Sequence, residues 1–208
     1  MKKIILVLVA LMVCAAPLSA QTKQELKQAK KEAKSATKTA LKEGWTLLES
    51  GDLGVQIQRH LAKKYSGDAF EISISVDGKK SINMAKSQAR NNILNEYAES
   101  ARSMVKGRVT SDMSDINDVQ RENFLASYER LVCSELNGEV KTSYTLYRKN
   151  KDGKFDVKLV TLVDCDAAHQ AHIKAMKRAL EEQEMAQKYG SKISDWINEG
   201  FAKACATN

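Results

Sequence analysis

The residues of this 208-residue chain best suited to chemistry lie in one short run, Cys165-Asp166-Ala167-Ala168-His169-Gln170-Ala171-His172. Within two helical turns, Cys165, His169 and His172 would offer a soft thiolate and two imidazoles to zinc, with a fourth ligand needed from elsewhere. A hydrolytic reading asks for a positioned thiolate, a histidine base and a group that orients the base. No oxyanion feature accompanies these residues, and no second paired-ligand motif occurs in the chain. The competing account is structural: Asp164 or Asp166 caps a helix, and His169 and His172 lie on its surface or rim. G-x-S-x-G, H-E-x-x-H, P-loop and dinucleotide signatures are all missing, and Glu181-Glu182 falls on a charged helical face. The residues thus nominate no catalytic group and no cofactor. A small metal-binding or hydrolytic periplasmic protein centred on Cys165, His169 and His172 stands as the second reading.

Export is written at the N-terminus. Lys2 and Lys3 precede ten apolar residues at 4–13, Pro17 breaks the run, and Leu18-Ser19-Ala20 offers a cleavage site before Gln21. Ten apolar residues fall short of the ~20 that a membrane-spanning helix needs. No later segment is longer, so no transmembrane helix is expected. Val13 stands where a lipid-modified Cys14 would want a small residue, which argues against lipid anchoring there. Cleavage between Ala20 and Gln21 places the mature chain in the periplasm or cell envelope. That compartment permits disulfides among Cys133, Cys165 and Cys205. A two-residue turn at Asp152-Gly153 would set Cys165 opposite Val140, at the end of the sheet where Cys133 also arrives. Helical phase turns Cys133 away from its apolar stripe, so Cys133 and Cys205 both remain candidate partners for Cys165.

The chain carries 33 Lys+Arg against 26 Asp+Glu. Much of the excess lies in the helical pattern over 22–43, where Lys23, Lys27, Lys31, Lys34, Lys38 and Lys42 recur on one face, with Lys30 beside them. Aromatic residues are not interleaved with these lysines and arginines are few, so stacking and bidentate base readout lack their usual groups. Nucleic acid is therefore excluded as a partner. The stripe is either a solvated face or a contact for anionic lipid, glycan or envelope proteins.

These residues must be positioned by a regular order of elements. Leu26, Ala29, Ala33, Ala36 and Ala40 give the first helix a narrow apolar side, and Gly44 ends it. Residues 45–48 read as a short extended piece. Residues 53–65 fit both periods, and their length favours a helix. Phe70, Ile72, Ile74 and Val76 alternate as a strand over 69–76, with Asp77-Gly78 as its turn. Ser81 caps a helix of about seven turns, and a second helix runs over 116–136. A hairpin pairs 140–146 with 155–163 across Asp152-Gly153. A long helix over 167–188 stops at Gly190, and Ser191 caps a short helix on Ile193, Trp196, Ile197 and Phe201. The expected fold is α+β: a small antiparallel or mixed sheet of about three strands covered by long helices, with extra N- and C-terminal helices. It divides into a signal peptide (1–20), a lysine-rich helical segment (21–65), a strand–helix–helix–hairpin core (66–166) and C-terminal helices (167–208).

The middle order resembles a family of small Gram-negative envelope lipoproteins. It rests on the segment Ser81-Ile82-Asn83-Met84-Ala85-Lys86-Ser87-Gln88-Ala89-Arg90, and on Ala85, Ala89 and Ala98 spaced through the long helix. Their domain type, called Lpp-twenty-like, is also found in the N-terminal part of a periplasmic flagellar-ring assembly protein. The likeness covers about residues 66–166. It implies an exported, non-enzymatic cell-envelope protein acting through protein or envelope-surface contacts, and it supplies no catalytic residues.

Overall fold

Alternation builds the sheet. In the computed structural model, which describes residues 23–199, four antiparallel strands lie in the order β1-β3-β4-β2. They are β1 (Thr46–Leu47), β2 (Ala69–Lys79), β3 (Lys141–Lys149) and β4 (Phe155–Asp164). Six helices complete the α+β fold: α1 (Lys23–Lys42), α2 (Leu53–Tyr65), α3 (Ile82–Asp112), α4 (Asp118–Leu136), α5 (Cys165–Glu182) and α6 (Ala186–Asn198). The short piece after α1 pairs with β3 through Thr46↔Tyr147 and so makes a fourth strand where about three were expected. Residues 53–65 are helical, capped by the Asp52 carboxylate on the Val55 N–H at 2.9 Å.

Period two gives each strand two faces, and here both are used. Val76, Val157, Leu159 and Val163 pack on Ala85, Ala89 and Ile93 of α3. The alanines are fully buried and carry no bulk beyond Cβ, so α3 lies close on the sheet. On the other face Leu146 joins Leu53 and Ile57 of α2 and Ala33 and Ala40 of α1, with Trp45 closing the end. The sheet is thus covered on both sides over β3 and β4. The lower half of α3 leaves the sheet and joins α4, α5 and α6 in a helical core of Val105, Val109, Phe124, Tyr128, Met176 and Trp196.

Caps fall where the sequence marks them. Ser81 Oγ accepts the Met84 N–H, Asp164 accepts from Asp166 and Ala167, and Asn117 with Gln120 forms a capping box on α4. Gly44, at φ 79°, closes α1 with two backbone bonds, Trp45 N–H to Ala40 and Gly44 N–H to Leu41. This is the Schellman arrangement, which needs a left-handed residue at its turn.

Three local expectations are corrected. Asp77-Gly78 is a bulge inside β2, because the Gly78 N–H is taken by the buried Asp156 carboxylate at 2.9 Å and pairing resumes at Lys79↔Phe155. The β3–β4 loop has three residues, 151–153. Asn150 N–H bonds Lys154 O, and Asn150 Oδ1 accepts from Asp152 and Lys154, so the asparagine organises the turn. Gly190 lies within α6; the break comes at Glu184, at φ 55°, where Met185 N–H reaches Leu180 O. Burial of Met185 and Leu180 in one core holds that break in place. Phe201 lies outside the described residues.

Candidate functional site

The Cys165–His169–His172 run does not assemble as a ligand set. Cys165, the first residue of α5, is disulfide-bonded, and its partner lies outside the described residues. Its sulfur is therefore no thiolate. Cys133 is a free thiol on α4, with Sγ 3.9 Å from Asn95 Oδ1 on α3. Of the two pairings left open for Cys165, the one with Cys133 is therefore excluded. The three-residue loop and a bulge at Ser143 change the hairpin register, and Cys165 sits beside Gly67 O instead, at 3.4 Å. Cys14 and Cys205 lie outside the described residues.

His172 is buried rather than on the helix rim. Its Nε2 is 2.7 Å from the Tyr97 hydroxyl and its Nδ1 is 2.6 Å from that of Tyr128. Burial, with a smaller push from His169, lowers its pKa to about 4, so the ring is neutral. One tyrosine donates to the lone pair and the other accepts the ring N–H. Burial raises Tyr97 to about 12 and moves Tyr128 further in the same direction. Both ring nitrogens are spent on structure. His169 is half-buried on the neighbouring turn, and among the described residues no three metal-ligating side chains converge.

The six lysines of the predicted contact face, Lys23, Lys27, Lys31, Lys34, Lys38 and Lys42, are all exposed on α1. The lysine ion pairs of the described residues are made by Lys64, Lys86 and Lys188, none of them on this helix. Ala29, Ala33 and Ala40 are buried on the opposite side, so α1 divides cleanly into a solvated basic face and a packed one.

Beneath α1 lies a cleft of about 430 Å³, bounded by α1, α2 and the outer sheet face. Trp45, Leu61 and Leu146 supply apolar wall, and Glu32, His60, Glu71, Tyr144 and Lys158 supply polar groups. His60 is 2% exposed. Its Nε2 lies 3.1 Å from Glu71 Oε2 and its Nδ1 lies 3.0 Å from Ser143 Oγ. Tyr144 meets the imidazole edge-on, with ring centroids 5.5 Å apart. The His60 bond, helped by Lys64 at 3.0 Å, holds the Glu71 carboxyl down to about 2 against the opposing effect of burial. Burial raises the Tyr144 phenol to about 12.

Two local features bring this group together. Leu53, Ile57 and His60 follow one helical stripe, which carries the imidazole into the sheet. The register of β3 against β4 shifts between Thr142 and Tyr144, leaving Ser143 as an extra residue. Strict alternation would send Ser143 and Tyr144 to opposite faces, whereas the bulge lets both reach His60. None of these residues was singled out from the sequence. The Leu53–Ile57–His60 spacing would have marked a buried histidine, but nothing local announces the bulge. Family models, curated proteins and solved structures return no match to the chain.

Proposed function

We propose that this is an exported cell-envelope protein that acts by contact, through the basic face of α1, with an anionic envelope surface. One observation carries the reading: every lysine of the stripe is solvated while Ala29, Ala33 and Ala40 on the opposite side of the same helix are buried. A helix packed along one side presents the charges of the other as one row, and each lysine close to an anionic surface contributes about 1 kcal/mol. The attraction fades over a Debye length of about 8 Å at physiological salt, so the association is salt-sensitive. The N-terminal pattern of Lys2-Lys3, the apolar run and Leu18-Ser19-Ala20 supports the setting, although it lies outside the described residues. The resemblance of residues 66–166, in element order and in the segment Ser81 to Arg90, to Lpp-twenty-like envelope proteins supports it also. No helix among the described residues is long and apolar enough to cross a membrane.

Co-sedimentation with vesicles tests the reading. The chain from Gln21 onward should bind vesicles containing phosphatidylglycerol at low salt, release them at high salt, and ignore zwitterionic vesicles. Replacing Lys27, Lys31 and Lys34 by glutamate should abolish the binding. Binding that survives both the salt and the charge reversal would reject this role for α1.

A further inference from the structure

We propose that Ser143, His60 and Glu71 form a nucleophilic site that hydrolyses small uncharged carboxylic esters and adjoins, through His60 and Glu71, the cleft beneath α1. This goes beyond the contact role of α1 and departs from the non-enzymatic expectation.

The hydrogen-bond order gives the group its direction. An ionised carboxylate only accepts, so His60 Nε2 must carry a proton toward Glu71. In the neutral ring that leaves the Nδ1 lone pair facing Ser143 Oγ at 3.0 Å, and the serine hydroxyl must be the donor. An imidazole so placed takes the hydroxyl proton as the oxygen attacks, while the carboxylate holds the tautomer and steadies the imidazolium. The chain supplies this alignment from α2, β2 and β3, with His60 and Ser143 separated by 83 positions.

Backbone geometry adds an independent observation. The extra residue in β3 is the serine itself, and bulges recur beside active sites because they re-aim a side chain. The cleft adds another. It is lined by His60, Glu71 and Tyr144, and its volume of about 430 Å³ falls within the range of small-molecule sites. The walls of Trp45, Leu61 and Leu146 suit a compact apolar or aromatic acyl group. Tyr144 and Lys158 add polar groups to the same lining.

The reaction balances with water as the only co-reactant. Ser143 Oγ forms a bond to the acyl carbon and its proton passes to His60 Nδ1. The tetrahedral intermediate then expels the alcohol, which takes that proton. Water attacks the acyl-serine, gives a proton to Nδ1, and the collapse returns the proton to Oγ with release of the acid. Ser143 and His60 are the catalytic residues. Glu71 is a positioning residue that acts through the imidazole, with Lys64 holding its carboxylate at 3.0 Å.

A fluorophosphonate probe and p-nitrophenyl butyrate test the site in the intact chain. The native protein should acquire one adduct, mapped to the Ser143 peptide, and should turn over the ester. Ser143→Ala should lose both signals. His60→Gln should slow labelling at least about 100-fold, the lower range for general-base catalysis. Glu71→Gln should lower kcat with little change in KM, and Glu71→Asp should recover part of it. Since His60 is buried, the wild type also serves as its own control: labelling should collapse when the chain is unfolded in urea. No adduct at Ser143 in the native protein, or equal labelling of native and unfolded chains, would overturn the proposal. Vesicle binding is unaffected by either outcome, so the two readings fail separately.

Discussion

The hydroxyls of Tyr97 and Tyr128 occupy both nitrogens of a single buried imidazole, that of His172, at 2.7 and 2.6 Å. They arrive from α3 and α4 while the histidine comes from α5, so one ring ties three helices together. A fully satisfied polar group of this kind specifies one packing arrangement, and its loss leaves two hydroxyls without partners.

His172 gives the fold an acid limit. Its folded pKa of about 4 lies below the ordinary 6.5, so the unfolded chain binds more protons between those values. Stability should be complete above pH 6.5 and should fall as pH drops from 6.5 to 4, by about 3 kcal/mol at most. Glu71, lowered to about 2 from 4.5, adds a separate loss as pH falls from 4.5 to 2. Urea unfolding from pH 4 to 7 should show a flatter curve for His172→Phe, together with lower stability at pH 7. A variant curve parallel to the wild type would exclude His172 as the source.

Asp156 tests the bulge in β2. It is 5% exposed and accepts from Gly78 N–H, Arg148 Nε and Asn150 Nδ2. Asp156→Ala should cost about 1–3 kcal/mol through the stranded donors. Faster amide exchange at Gly78 than at Val76 in the variant is the accompanying signature.

Glu184 pays a backbone penalty that glycine would remove. Its φ of 55° puts a β-carbon in the left-handed region at the turn between α5 and α6. Glu184→Gly should raise stability by a fraction of about 1–2 kcal/mol, since glycine's greater freedom in the unfolded chain offsets part of the gain. Thermal unfolding with an unchanged circular-dichroism spectrum is the measurement.

Deleting residues 21–43 should separate the two sheet faces. The clusters on the α3 side contain no residue of α1, so the helical core and the sheet should still unfold cooperatively. Ile57 and His60 would lose their cover, and ANS binding should rise. Loss of the cooperative transition would make α1 a part of the central core.

The long elements were legible because many positions repeat the same message. Ala85, Ala89 and Ile93 mark one face of α3, and the alternation in β2 and β4 needs no tertiary information. The lysine face of α1 was readable for the same reason. What escaped depends on contacts distant in sequence. β1 has only two residues and exists through its pairing with β3. Gly190 reads as a stop locally, yet Tyr189 and Ile193 on either side are buried and carry α6 through it. The cleft group escaped most completely: Ser143 reaches His60 only because β3 gains a residue at that point, and a bulge has no composition of its own.

Because β4 is covered on both faces, it is a partition between two compartments that can be loosened one at a time. Leu159 and Val160 are adjacent, each 1% exposed, and they point to opposite sides. Leu159 borders the α3 packing, whereas Val160 pairs with Tyr144 at the bulge. A methyl deleted at one position should be felt beneath α3, and one deleted next door should be felt around His60. Two substitutions a single peptide bond apart would thereby report on separate halves of the molecule, and their costs should add.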